Sequence, residues 1–131
     1  MSSIFTRIIE GEIPAYRVAE NEKFYAFLDI NPLAQGHTLV VPKREVDYIF
    51  DMNEECLAEM VVFAKHVAHA IEKVVKCKRI GVAVIGLEVP HAHIHLIPLN
   101  QESDICFSRK RISLRPEEFS TLANRIIAEF K

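Results

Sequence analysis

Residues 91–96 alternate histidine with an apolar residue, in the order His91-Ala92-His93-Ile94-His95-Leu96. Side chains alternate between the two faces of a β-strand, so this pattern predicts a strand that buries its apolar residues and lines up three imidazoles on the opposite face. Burying an imidazole without a hydrogen-bond partner costs about 1 to 3 kcal/mol. Since folding alone does not favour three buried imidazoles in a row, we expect these histidines to have a catalytic or binding role.

The rest of the chain predicts three helices and a set of grouped strands. Apolar residues recur at three- and four-residue spacings in 53–76, behind a candidate N-cap at Asn53, and in 116–130, where Pro116 stands in the first turn. A short helix is predicted at about 3–10. Strand-like runs occupy 16–18, 24–29, 37–41, 80–85 and 91–99. Because the strands are grouped, the order favours an α+β fold with a mainly antiparallel sheet.

Length and composition narrow the functional classes. With 131 residues, half of them hydrophobic, and a net charge of −2, the chain is predicted to form one domain over 1–131. The charge does not point to a general nucleic-acid partner, and without an apolar run of about 18 residues we expect no membrane partner. The three cysteines are odd in number and lack CxxC spacing, which favours a reducing compartment and a cytoplasmic location.

Three interpretations of the histidine row remain at this point. The histidines could be hydrogen-bonded core residues. They could bind a metal, but alternate strand residues lie about 6.5 to 7 Å apart, which separates His91 from His95 by roughly 13 Å, and no HExxH motif or cysteine pair supplies further ligands. We therefore expect no metal and no cofactor. The favoured interpretation is nucleophilic catalysis by imidazole on a phosphate, because neutral imidazole has a nucleophilic lone pair near neutral pH. The absence of a P-loop motif excludes ordinary ATPase or GTPase machinery.

The chain resembles the histidine triad (HIT) family, in its Hint-like nucleotide hydrolase branch. HAHIHLIP matches the family's His-φ-His-φ-His-φ-φ motif, in which φ is apolar, and residues 4–15 and 27–43 resemble two further family segments. The resemblance implies a HIT-like five-stranded, mainly antiparallel sheet with one long helix and N- and C-terminal helices. It also implies a homodimer with one nucleotide site in each subunit.

The resemblance also implies a role for each matching residue. His93 falls on the nucleophile, whose Nδ1 proton the backbone carbonyl of His91 would accept. His95 falls on the histidine that contacts the phosphate or the leaving group, and His37 on a fourth histidine that supports His91. Asp29 matches the carboxylate that binds the ribose hydroxyls. The base pocket would be lined by Phe5, Ile8, Phe27 and Ile30, and the segment Gly86, Leu87 and Glu88 would lie at the nucleotide.

One departure from the family pattern concerns Leu87, which stands where relatives usually have glutamine. A polar contact to the phosphate or leaving group is therefore lost, and a missing transition-state donor can cost about 3 kcal/mol. The expected activity is metal-independent hydrolysis of purine nucleoside phosphoramidates, or of related nucleotide conjugates, through a nucleotidyl-histidine. The alternatives are a dinucleoside polyphosphate hydrolase and a nucleotide-binding regulatory module with little turnover.

The remaining polar residues have less specific interpretations. We expect His66 and His69 to form a solvated or subunit-facing patch on the long helix. Residues 100–114 are predicted to be an irregular connection whose basic run is solvated. A phosphate contact by Arg109 or Arg111 is a hypothesis that rests only on their place in this connection.

Overall fold

A computed structural model describes residues 2–130. The helices are α1 (Ile4–Ile9), α2 (Glu54–Val74) and α3 (Pro116–Glu129). The strands are β1 (Arg17–Glu20), β2 (Phe24–Leu28), β3 (Thr38–Pro42), β4 (Arg79–Ala83) and β5 (Ile94–Leu99). Single 3₁₀ turns lie at Ile49–Asp51 and Glu102–Ile105.

The five strands form one sheet in the order β1-β2-β3-β5-β4, in which every neighbouring pair is antiparallel. The α+β prediction is confirmed, as are the long helix and the two terminal helices. Asn53 is the N-cap of α2, because its side chain accepts a hydrogen bond from the Cys56 N–H. Among the described residues, no helix has the length and apolar character that crossing a membrane requires.

The two faces of the sheet carry different cores. One face packs against α2 and α3 and contains Ala92, Ile94 and Leu96, the apolar members of the alternating segment. The opposite face carries a smaller cluster of Phe5, Phe27, Leu39 and Val41, over which α1 lies. In the register of β3 with β5, Leu39 stands opposite His95, so the histidine face borders this smaller cluster.

The predicted strand over 91–99 is too long. β5 begins at Ile94, and residues 91–93 are irregular. Their backbone groups are used elsewhere: the Ala92 N–H donates to the carbonyl of Val46 at 2.7 Å, and the His91 carbonyl accepts from a side chain. A main chain bonded in this way cannot also pair with a neighbouring strand. His91 and His93 therefore precede β5, and only His95 lies within it.

A tight turn places His37 immediately before β3. Gly36 has φ of +95°, and a Cβ added there would lie 2.9 Å from a methyl of Val75 and 3.2 Å from the Pro98 ring. Glycine is required because it accepts this conformation and leaves room for the close approach. The turn lets the backbone of β3 begin directly beside β5.

Candidate active site

His93 is buried, and a backbone carbonyl determines which of its ring nitrogens carries the proton. Its Nδ1 lies 2.8 Å from the carbonyl oxygen of His91, and since a carbonyl only accepts, Nδ1 carries the proton. The lone pair is therefore on Nε2, which is the arrangement a nucleophile needs. The Phe5 ring lies edge-on to this imidazole with 5.0 Å between centroids.

His91 is fully buried and uses both ring nitrogens within the protein. Its Nε2–H donates to the Pro42 carbonyl at 2.7 Å, and its Nδ1 accepts from the Ser3 hydroxyl at 2.7 Å. Burial lowers the pKa of His91, so the ring is neutral near pH 7. With both nitrogens occupied, His91 has no free atom for a phosphate. Its side chain and carbonyl serve to hold neighbouring groups.

His37 and His95 form a hydrogen-bonded pair. Their Nε2 and Nδ1 atoms lie 3.0 Å apart, and the Leu33 N–H donates to Nδ1 of His37 at 3.0 Å. Because Nδ1 of His37 accepts, its proton is on Nε2 and is donated to His95. The proton of neutral His95 is then on its own Nε2. The prediction that His37 supports His91 was wrong, since Nε2 of His37 bonds to Nδ1 of His95.

Both members of this pair stay neutral over a wide range of pH. Burial lowers the pKa of His37 to about 3 and that of His95 to about 4. The neighbouring imidazoles and the charge of Arg111 act in the same direction. His95 therefore offers an N–H donor, and not a cation, at neutral pH.

Asp29 follows β2 and divides its two carboxylate oxygens between two neighbours. Oδ1 accepts from the Asn31 N–H at 2.8 Å, as expected for a side chain that caps the turn. Oδ2 lies 3.6 Å from Nε2 of His37. Burial raises the pKa of Asp29, while the Asn31 N–H and Arg111 oppose this effect. Oδ1 of Asp29 therefore caps the turn, whereas Oδ2 faces the histidines.

Asp29, His37 and His95 also form a group of potential metal ligands, whose ligand atoms all lie within 4.8 Å of one another. A metal bound there would need the Nε2 lone pair of His37, and this would move the ring proton to Nδ1. That proton would then face the Leu33 N–H across 3.0 Å. Two donors in this position repel, so the main chain disfavours a metal ion.

The residues assigned to a base pocket are only partly brought together. Phe5 and Phe27 stand edge to face at 5.5 Å between centroids, with the half-buried Ile8 packed against them. Ile30 lies outside this cluster and is 65% exposed. An apolar wall therefore adjoins His93 on the side of α1, and Ile30 stands free in solvent.

Residues 86–88 belong to the irregular connection between β4 and β5. Gly86 has φ of +70° and lines a cavity of about 560 Å³ that reaches His93. Leu87 is 87% exposed and Glu88 is also exposed. The Leu87 side chain therefore lies in solvent, near the histidines in sequence, and takes no part in the buried core.

Several residues at the site have weak sequence signals. Ser3 could be read as an N-cap of α1, but nothing in its surroundings points to His91, 88 positions later. Phe107 packs edge-on against His95, with 4.8 Å between centroids, and nothing in the sequence around it indicates a place at the site. Of the two arginines in the connection, Arg111 lies beside the site, whereas Arg109 pairs with Asp104 at 3.0 Å.

His66 and His69 are exposed on α2, and Nδ1 of His69 lies 3.4 Å from a carboxylate oxygen of Glu72. The structure brings neither of them to the group formed by His37, His91, His93 and His95. They belong to the surface of the helix, as the sequence predicted.

Comparisons with known proteins agree with this geometry. The HIT domain model matches residues 10–102. The adenosine 5′-monophosphoramidase hnt1 of Schizosaccharomyces pombe is 33% identical over 134 residues, covering 100% of each chain. The adenosine 5′-monophosphoramidase HNT1 of Saccharomyces cerevisiae is 37% identical over 100 residues, covering 76% of this chain and 63% of its own.

Among solved structures, a HIT-like protein involved in cell-cycle regulation from Bartonella henselae matches with a TM-score of 0.83 at 31% identity. The match covers 98% of this chain and 96% of that one. The order of the strands, the buried histidines and these matches lead to the same conclusion: the chain belongs to the HIT family.

Proposed function

We propose that this protein is a nucleotide hydrolase that cleaves purine nucleoside phosphoramidates at the α-phosphate through a covalent nucleotidyl-histidine on His93. The observation that carries the proposal is the 2.8 Å bond from Nδ1 of His93 to the His91 carbonyl. It keeps the Nε2 lone pair available and stabilises the positive charge that the ring acquires when Nε2 bonds to phosphorus.

The reaction has two steps. In the first, Nε2 of His93 attacks phosphorus, the bond from phosphorus to the amine nitrogen breaks, and the amine leaves with a proton from solvent. In the second, water attacks phosphorus, the Nε2–phosphorus bond breaks, and the nucleoside monophosphate and a proton are released. His95, with its proton on Nε2, donates a hydrogen bond to a phosphate oxygen in both transition states.

The nucleoside is proposed to occupy the side of the site formed by α1 and β2. Phe5 and Phe27 supply an apolar wall for a base, and Oδ2 of Asp29, the oxygen that does not bond the Asn31 N–H, accepts from the ribose hydroxyls. The two relatives named as adenosine 5′-monophosphoramidases support a purine phosphoramidate as the substrate.

A second candidate is a nucleotide-binding module with little turnover. The exposed Leu87 supports it, because an apolar side chain supplies no donor where relatives usually have an amide. Dinucleoside polyphosphates remain the alternative substrate class, since Nε2 of His93 would attack their α-phosphate in the same way.

We also propose that the protein works as a homodimer in the cytoplasm. β4 is an edge strand with a neighbour on one side only, and its Val82 is 64% exposed. Further exposed apolar residues line the cavity beside it: Tyr48, Phe50, Val61, Val84 and Ile85. A second copy packed against this surface would cover them.

The proposed cytoplasmic location is supported by the three unpaired cysteines, which fit a reducing compartment.

The test of the enzyme is detection of the intermediate. The protein is incubated with adenosine 5′-phosphoramidate, quenched in alkali, and examined by intact mass. We expect an adenylyl adduct and release of AMP with the wild type and with His69→Ala, whose histidine is exposed, and neither with His93→Ala. Tight AMP binding without adduct or turnover would favour the binding module. Loss of activity with a chelator would contradict the metal-independent mechanism.

A further inference from the structure

Residues 106–112, which follow the last strand, fold back against the histidines. The Ile112 N–H donates to the Pro32 carbonyl at 3.0 Å, and Nη1 of Arg111 donates to the Asn31 carbonyl at 2.6 Å. Both acceptors belong to the turn between β2 and β3, which also carries Leu33 and His37. The segment is therefore attached to the part of the chain that positions the His37–His95 pair.

The ring of Phe107, which belongs to this segment, packs against the His37–His95 pair. Its ring stands edge-on to His95 at 4.8 Å and to His37 at 6.4 Å between centroids. The guanidinium of Arg111 lies 5.6 Å from the centre of the Phe107 ring. Cover by an aromatic ring removes water from the imidazoles, and the arginine places a positive charge next to them.

We propose that Phe107 and Arg111 are positioning residues that hold His95 neutral, with its one proton on Nε2. A cationic His95 would carry a proton on Nδ1, where it would face the Nε2–H of His37 across 3.0 Å. His37 cannot relieve this clash by changing tautomer, because its own Nδ1 faces the Leu33 N–H. Protonation of His95 therefore breaks the pair, and the two residues of the segment oppose it by excluding water and by repulsion.

The charged and titratable groups that face His95 come from four parts of the fold. They are His37 just before β3, His93 before β5, Arg111 from the segment, and Asp29 just after β2. Among the described residues, Arg111 is the one lysine or arginine whose charge acts on all of Asp29, His37 and His95. Its removal should therefore affect the protonation of this group as a unit.

The experiment is a histidine titration by NMR on protein labelled with ¹⁵N in its imidazoles. In Phe107→Ala and in Arg111→Ala we expect the pKa of His95 to rise by about one pH unit. Phe107→Leu retains apolar cover and Arg111→Lys retains the charge, so both should stay near the wild type. Arg109→Ala is the matched control, since Arg109 lies in the same segment but pairs with Asp104. The ¹⁵N shifts of the wild type should show the proton of His95 on Nε2.

An unchanged titration of His95 in Phe107→Ala or Arg111→Ala would overturn the proposal for that residue, and a proton on Nδ1 in the wild type would overturn it for both. The inference rests on the proposed function in one respect only, which is its effect on kinetics. If His95 is the donor to the phosphate, the fall of kcat/KM on the acid side should move to higher pH in the two alanine variants. If the wild type has no turnover, the proposed function fails while the titration still decides the role of the segment.

Discussion

The Ser3 hydroxyl donates a hydrogen bond of 2.7 Å to Nδ1 of His91 and accepts the Thr6 N–H at 3.1 Å, so one side chain both caps α1 and satisfies a buried imidazole. The Ser3 N–H and the Thr6 hydroxyl donate to Glu45, which lowers the pKa of that carboxylate. The start of α1 is thereby tied to the histidine that holds His93.

Ser3→Ala is expected to lower the free energy of unfolding by about 1 to 2 kcal/mol, because it removes a helix cap and leaves a buried acceptor without a donor. Urea unfolding measures the change. Ser2→Ala is the control, since Ser2 is exposed and should stay within about 0.5 kcal/mol of the wild type. Equal midpoints for the two variants would show that the bond to His91 does not stabilise the fold.

Leu87→Gln is expected to raise kcat/KM for adenosine 5′-phosphoramidate by about tenfold or more, because the amide restores a donor whose loss costs about a hundredfold in comparable sites. Steady-state kinetics measures the change. Leu87→Ala removes the same apolar side chain without adding a donor and should not accelerate the reaction. If the glutamine variant is no faster than the alanine variant, position 87 does not contact the substrate.

Asp29→Asn is expected to weaken selection for the ribose. The asparagine keeps an oxygen for the Asn31 N–H but loses the charge that accepts from the sugar hydroxyls. The ratio of kcat/KM for a ribose substrate to that for its 2′,3′-dideoxy analogue should fall by about tenfold. Asp104→Asn, whose carboxylate pairs with Arg109, should leave the ratio unchanged. An unchanged ratio in Asp29→Asn would exclude a ribose contact.

Stability is expected to fall as the pH is lowered from 6.5 towards 4. The unfolded chain protonates its histidines below about 6.5, whereas folded His37 and His95 stay neutral down to about 3 and about 4. In this window the unfolded state binds more protons, so the free energy of unfolding rises with pH, by up to about 1.4 kcal/mol per pH unit for each histidine. The raised pKa of Asp29 acts in the opposite sense at the acid end.

Urea unfolding at a series of pH values tests this prediction. His37→Asn should reduce the slope, and His69→Asn, at an exposed position, should keep it. A wild-type slope equal to that of His37→Asn would mean that His37 takes up its proton in the folded state as readily as in the unfolded chain.

Val82→Lys is expected to convert the proposed dimer to a monomer, because it places a charge in the middle of the exposed edge of β4. Sedimentation velocity gives the molecular mass. Ile127→Lys is the control, since Ile127 is exposed on α3, away from that edge, and should leave the mass unchanged. A monomeric wild type would contradict the dimer.

The sequence predicts the apolar half of the alternating segment well and the histidine half only in part. Ala92, Ile94 and Leu96 enter the core as periodicity requires. The partner of His37 could not be predicted, because the register that places Leu39 opposite His95 depends on how two distant strands pair. His91 lies outside β5 because its carbonyl is bonded to the His93 side chain, and the apolar periodicity of the segment gives no indication of this bond.

The residues whose role at the site had little or no sequence signal act over long separations or from irregular backbone. Ser3 meets His91 only after the whole sheet has formed, and Phe107 reaches His95 because its segment folds back on the turn before β3. Short-range patterns give no information about either contact, since neither depends on helix or strand periodicity.

The Leu33 N–H sets the direction of the His37–His95 pair, and this donor belongs to the main chain. Every amino acid except proline would supply the same N–H at position 33. Mutations there can alter packing, but they leave the proton order of the pair unchanged as long as the turn keeps its shape. The direction of the hydrogen bond from His37 to His95 therefore tolerates substitution at position 33, with proline as the exception because it has no N–H.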